Sequence, residues 1–169
     1  FSTIVSVLII LGVIYWSFAD LKPAINTSKS NSETEFSLEN ALNHLKKITK
    51  EPHYVGSNEH KNVQNYIVSE LQKMGFETEI QTQTAINKKW FAATTAENII
   101  AKLKGTASEK ALLLLTHYDS NPHSSLGASD AGSGVVTILE GLRAFLAKNE
   151  IPKNDLIILI SDAEELGLL

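Results

Sequence analysis

Ala111-Leu112-Leu113-Leu114-Leu115-Thr116, followed at once by His117-Tyr118-Asp119-Ser120, is the stretch that decides the fold. Its apolar run is continuous rather than alternating and too short for a helix, the pattern of a strand buried on both faces of a sheet. A second run of the same kind, Leu156-Ile157-Ile158-Leu159-Ile160, breaks into Ser161-Asp162-Ala163-Glu164-Glu165. Between the two, Val135, Val136, Ile138, Leu139, Leu142, Phe145 and Leu146 recur at helical spacing, and Pro152 separates that helix from the second strand. Ligands in open α/β sheets bind beyond the carboxyl ends of the strands, which is where both polar clusters fall.

Upstream, Phe36, Leu38, Ala41, Leu42, Leu45 and Ile48 predict one amphipathic helix. Val63, Tyr66, Ile67, Leu71 and Met74 predict another, stopped by Gly75. Phe76, Thr78 and Ile80 alternate with Glu77, Glu79 and Gln81 as in a half-buried strand, and Asn98 to Leu103 gives a further strand before Gly105. The order helix, helix, strand, strand, strand, helix, strand predicts an α/β sandwich with a mostly parallel central sheet.

Phe1 to Ala19 carries no charge. At ~1.5 Å per residue such a helix reaches ~28 Å, close to the ~30 Å of a bilayer core. Tyr15 and Trp16 stand near its end as interfacial aromatics would, and Asp20, Lys22 and Pro23 stop it. Residues 1–19 are therefore expected to be a transmembrane anchor, with a secretory signal peptide ending in Ser17-Phe18-Ala19 as the alternative. Either attaches the downstream chain to a membrane or exports it across one; charge bias does not give the orientation, and the catalytic domain is expected on the non-cytoplasmic side. The polar stretch 20–35, including Asn26-Thr27-Ser28-Lys29-Ser30-Asn31-Ser32, reads as a linker.

The 169 residues are 43% hydrophobic and 20% charged, with net charge −4 and no cysteine. That balance excludes a disulfide-stapled scaffold, a thiolate zinc finger and a disordered acidic tail, and it offers no basic footprint for nucleic acid. Oligomeric state leaves no trace in the pattern.

Three polar clusters carry the possible chemistry. His117 and Asp119 are two apart on an extended chain, so their side chains leave on one side, and Asp119 can hold the second ring N–H of a metal-bound imidazole. The alternative is a histidine merely satisfied at a strand end. Gly127-Ala128-Ser129-Asp130-Ala131-Gly132-Ser133-Gly134 opens a helix, where Asp130 is either an oxygen donor to a cation or an N-cap. Ser129 also sits in a partial Gly-x-Ser-x-Gly pattern, but the residues between strand and serine argue against a nucleophile elbow. Glu164 and Glu165 can divide labour between proton transfer and metal binding, or can both serve as helix-start acids in capping-box spacing with Ser161 and Asp162.

Together, His-x-Asp, then Gly-x-Ser-Asp-x-Gly-Ser-Gly, then a strand ending in Asp-x-Glu-Glu-Leu-Gly-Leu-Leu, resemble the di-zinc aminopeptidase family that includes bacterial leucyl aminopeptidases and glutamate carboxypeptidase II. Phe36-Ser37-Leu38-Glu39-Asn40-Ala41 through Pro52-His53-Tyr54-Val55-Gly56-Ser57 behind an anchor is most similar to its endoplasmic-reticulum metallopeptidase and vacuolar membrane protease branch. The resemblance implies a three-layer α/β sandwich and a zinc-dependent exopeptidase, of aminopeptidase type, acting on peptides or proteins. It implies that His117 ligates one zinc, Asp130 bridges two, Glu165 ligates the other, Asp119 orients His117 and Glu164 is the general base. The remaining family ligands, an aspartate and a histidine, are expected beyond Leu169, so residues 36–169 are read as the N-terminal half of a catalytic domain, incomplete at its C-terminus and inactive alone. A receptor or scaffold that keeps the peptidase fold without catalysis is the competing reading. His53 is expected in a loop without a ligand role, His44 and His60 on solvated helix faces, and Ser120 and Ser133 in turns and caps.

Overall fold

The computed structural model describes residues 2–21, 32–107, 110–123 and 125–169. Most of the linker, residues 22–31, lies outside them.

Helix α1, Ser2–Asp20, is apolar on every side, and none of its candidate span is buried against protein. By length and composition it suffices to cross a membrane. Helix α2, Leu38–Ile48, starts on Ser37, whose hydroxyl accepts from the Asn40 N–H at 3.2 Å. Helix α3, Asn58–Lys73, starts on Ser57, which accepts from the His60 N–H at 3.1 Å. Both caps satisfy N–H groups that the first helical turn leaves orphaned. Gly75 ends the second of these helices with φ +87°, a left-handed conformation that glycine adopts without steric cost.

Strands β1 (Glu77–Asn87), β2 (Ala92–Leu103), β3 (Ala111–His117) and β4 (Asp155–Ser161) form one sheet in the order β1-β2-β4-β3, with helix α4 (Ser133–Leu146) between β3 and β4. The sheet is mixed. β3 and β4 pair in parallel, whereas β1/β2 and β2/β4 are antiparallel, correcting the mostly parallel sheet that the apolar runs predict. β1 and β2 also extend beyond the expected strands into a long two-stranded ribbon whose tip is residues 88–91.

Ile99 and Ala101 face Ile160 and Ile158 across β2/β4, and these residues pack with Ile48, Ile67, Leu71, Val135 and Leu139 from α2, α3 and α4 into one core. Fully burying an isoleucine of this kind contributes roughly 1.5–3 kcal/mol. Among the described residues nothing covers the opposite face: Leu113 and Leu115 are 53% and 60% exposed. β3 is thus an edge strand with one open face among the described residues, correcting the expectation of a strand buried on both faces. Among the described residues the helices α2, α3 and α4 pack on one side of the sheet, within the mixed α/β fold expected.

The chain after the linker is fastened to α4. Glu140, fully buried, accepts from Arg143 Nε and Nη2, both at 2.7 Å, and from the Ser37 N–H at 2.7 Å. Arg143 also donates to the carbonyls of Glu33 and Glu35.

Candidate metal centre

The parallel pair β3/β4 brings His117 opposite Ser161 at the carboxyl ends of both strands, and the Tyr118 N–H extends the ladder to the Ser161 carbonyl at 3.1 Å. The polar clusters beyond the two strands are therefore neighbours in space. Asp119, 1% exposed, ties them together: its carboxylate accepts from the N–H groups of Glu164 at 3.1 Å and Glu165 at 3.0 Å, and lies 3.2 Å from His117 Nδ1. The Asp119 carbonyl is a second acceptor 3.2 Å from the same nitrogen. With only acceptors around it, Nδ1 carries a proton, and Nε2 points outward.

Nε2 faces Asp130 Oδ1 at 3.0 Å and Glu164 Oε2 at 3.7 Å. Burial alone would push the His117 imidazole down. The hydrogen-bonded carboxylates of Asp119 and Asp130, with Glu164 nearby, overcome that and raise its pKa to about 9. Three carboxylates thus converge on one imidazole, so the position draws positive charge. A buried imidazole held at Nδ1 by Asp119 and bordered by carboxylate oxygens offers donor types that zinc takes.

Asp130 approaches His117 from an extended backbone (φ −122°, ψ 99°) inside the short irregular helix Ala128–Gly132; the Asp130–Ala131 peptide is cis. The N-cap of α4 is Gly132 and has no side-chain cap bond, so the capping alternative for Asp130 is not what its carboxylate does. Nor does capping account for the glutamates: Ala163, with φ +61°, precedes the 3-10 turn Glu164–Leu166 without a side-chain cap bond. The Glu165 carboxylate turns the other way and accepts from Asn121 Nδ2 at 3.0 Å. The structure therefore gathers His117, Asp119, Asp130 and Glu164, while the Glu165 side chain points to a neighbouring residue. Among the described residues no three His, Asp or Glu side chains are grouped so as to hold a metal ion. Ser129 is exposed on the irregular turn, and its carbonyl accepts from Ser133 Oγ at 2.6 Å. It does not occupy a strand-to-helix elbow.

A second polar layer supports the first. Asp162, 1% exposed, accepts from the Ala163 and Glu97 N–H groups at 2.8 and 2.9 Å and pairs with His60 Nε2 at 2.7 Å. His60 stacks on Tyr118, with ring centroids 4.8 Å apart. The Tyr118 hydroxyl donates to the Glu97 carbonyl and accepts from Gln64, and its burial pushes the phenol pKa up. His60 is thus buried, correcting the expectation of a solvated helix face. His44 is half-buried, its Nδ1 2.6 Å from the Tyr66 hydroxyl. His53 is buried beneath Gly127, its N–H donating to Ser120 Oγ, and burial lowers its pKa. Ser120 is fully buried by that contact, which spacing alone did not signal.

A mixed sheet with helices on one face, and an acid-ringed histidine at the ends of its parallel strands, define a zinc-peptidase-like α/β domain. Residues 98–169 match Peptidase family M28, and the chain fits that M28 zinc peptidase family. It is 32% identical over 148 residues to the vacuolar membrane protease of Yarrowia lipolytica, covering 74% of this chain and 15% of that protein. Among solved structures, a leucine aminopeptidase precursor from Bacteroides thetaiotaomicron superposes with TM-score 0.69 at 26% identity, over 79% of this chain and 49% of that one. A Zn-dependent exopeptidase from Parabacteroides distasonis gives 0.66 at 25% identity, over 79% and 49%. A glutaminyl cyclase from Porphyromonas gingivalis gives 0.68 at 25% identity, over 78% and 47%. The chain spans about half the length of these solved structures and under a fifth of the Yarrowia protease.

Proposed function

We propose that this chain belongs to a membrane-anchored zinc metallopeptidase, an exopeptidase of aminopeptidase type that hydrolyses peptides on the non-cytoplasmic side. The observation that carries the reading is the convergence of Asp119, Asp130 and Glu164 on His117 at the ends of β3 and β4. The vacuolar membrane protease and Zn-dependent exopeptidase likenesses support it, as does the length and apolar composition of α1, which suit an anchor.

His117 and Asp130 would hold zinc, with Glu165 released from Asn121 to serve a second ion. Zinc there supplies a Lewis acid that makes water more acidic and polarises the scissile carbonyl. Asp119 would orient the His117 ring through Nδ1 when a metal is bound at Nε2, and it fixes the backbone of Glu164 and Glu165. Glu164, half-buried beside His117, takes the proton from the attacking water and returns it to the leaving amine. Asp130, its side chain 75% exposed, is open to solvent beside His117.

The glutaminyl cyclase likeness favours a second reading, in which the N-terminal amine of the substrate replaces water as nucleophile. Both are tested on the full-length protein with peptides carrying free, acetylated or glutamine N-termini. The proposal expects release of the free N-terminal residue from unblocked peptides only, lost with a chelator and restored by zinc. Ammonia release with a cyclised product would establish the second reading. Chelator-resistant hydrolysis would overturn both, and binding without turnover would favour the scaffold.

A further inference from the structure

His60 is a buried titratable side chain that takes no part in the proposed chemistry, yet it touches both strand ends that carry it. It lies in the first turn of α3, 6% exposed, with its N–H on the Ser57 hydroxyl. Its ring stacks on Tyr118, the residue between His117 and Asp119, with the two planes 19° apart. Its Nε2 reaches Asp162 Oδ1, two residues before Glu164, at 2.7 Å. The partner of that nitrogen is a carboxylate, so Nε2 carries the proton and donates.

Asp162 in turn holds the turn from which Glu164 projects. Ala163 is fully buried and left-handed (φ +61°, ψ 26°), a conformation that a residue with a Cβ keeps only where its surroundings impose it. The Ala163 N–H donates to Asp162 Oδ1 at 2.8 Å, the Glu97 N–H of β2 donates to Oδ2 at 2.9 Å, and the Asp162 N–H ends on Asn98 Oδ1 at 2.8 Å. Three successive N–H groups, those of Ala163, Glu164 and Glu165, therefore end on two buried carboxylates, Asp162 and Asp119. Oδ1 of Asp162 is shared between Ala163 and His60. Without the imidazole, a carboxylate that is 1% exposed loses a donor that water does not replace, and turning it toward another donor takes Oδ1 away from the Ala163 N–H.

We infer that His60 is a positioning residue for the reaction: its hydrogen bond to Asp162 locks the left-handed turn at Ala163 and so aims the Glu164 carboxylate. The inference rests on the peptidase reading, in which Glu164 moves the proton. A general base works only within hydrogen-bond reach of the proton it takes, and a misplacement of about 1 Å can cost ~100-fold in rate. His60 thereby acts on turnover without meeting substrate.

The test uses the full-length protein, with kcat, KM and zinc content measured under conditions where urea unfolding shows each variant folded. His60→Phe keeps the stacked ring and removes the donor; His60→Gln keeps a donor to Asp162 and removes the ring. His60→Phe should lower kcat by about tenfold or more, with KM within about twofold and zinc content near wild type. His60→Gln should restore kcat to within about threefold of wild type, which a role confined to packing on Tyr118 would not give. In the metal-free protein, amide hydrogen exchange of residues 162–166 should quicken relative to that of α4 in His60→Phe and not in His60→Gln. Should His60→Phe not fold, Asp162→Asn takes its place: its new NH2 must face an N–H on one side, and the same tenfold loss is expected. A kcat within twofold of wild type in the donor-less variant, or a His60→Gln kcat tenfold or more below wild type, would overturn the positioning role and leave the peptidase reading intact. Absence of cleavage by wild type on every peptide would remove that reading and the positioning role with it.

Discussion

Replacing Asp119 by alanine strikes the one side chain that touches both polar clusters. Its carboxylate accepts from two part-buried N–H groups, those of Glu164 and Glu165, and from the His117 ring. Each N–H left without its charged acceptor costs about 1–3 kcal/mol, offset in part because the buried carboxylate no longer has to be desolvated. The expected net loss is about 2–4 kcal/mol. Loss of the group that fixes a metal-bound histidine typically weakens metal affinity ~10–100-fold. Asp119→Asn separates the two effects: one oxygen still accepts, while the new NH2 opposes an N–H that the carboxylate had satisfied. Urea unfolding of the metal-free protein measures the first effect, and zinc competition against a chromophoric chelator measures the second. Asp119→Ala that binds zinc within twofold of wild type and unfolds at the same urea concentration would refute the reasoning.

His60→Phe keeps the ring stacked on Tyr118 but leaves the buried Asp162 carboxylate without its 2.7 Å partner. It should lower stability by about 2–4 kcal/mol in urea unfolding, and equal midpoints would contradict the buried network. Glu140 gives the pH dependence. Its burial would raise the carboxyl pKa, but the Arg143 guanidinium and the Ser37 N–H overcome that and hold it below the ordinary value. A depressed carboxylate stabilises the fold above its unfolded pKa, and that contribution disappears as pH falls through the folded value. Glu140→Gln should therefore be less stable than wild type at pH 7, with the gap closing below about pH 4. A gap that widens on acidification would reverse the sign.

The helices and the apolar strands were legible because their periodicity reports burial directly. Val63, Ile67 and Leu71 share the buried face of α3, as helical spacing predicts. What the pattern could not say is which neighbours a strand has. Leu112–Leu115 reads as doubly buried, yet among the described residues β3 pairs with β4 alone and leaves Leu113 and Leu115 exposed. The outer ribbon was missed because residues such as Thr82, Thr84 and Thr94 carry little apolar alternation, and its pairing satisfies backbone groups rather than burying side chains. In the site, His117 and Asp119 were legible from a spacing of two on an extended chain. Asp130 was not separable from an N-cap, since that depends on a backbone angle that spacing does not encode. His60 was misplaced because its partner, Asp162, is 102 residues away in sequence. Trp90 carries no signal in the sequence because only the β1/β2 pairing brings it to Gly167.

The central claim is that Glu164 moves protons beside a zinc-holding His117. Glu164→Gln in the full-length protein, with zinc content and peptide turnover measured on the same sample, tests it most directly. Zinc content near wild type with turnover lost by at least ~100-fold, within the usual contribution of a general base, is the expected result. Turnover within a few-fold of wild type at equal zinc content would contradict it.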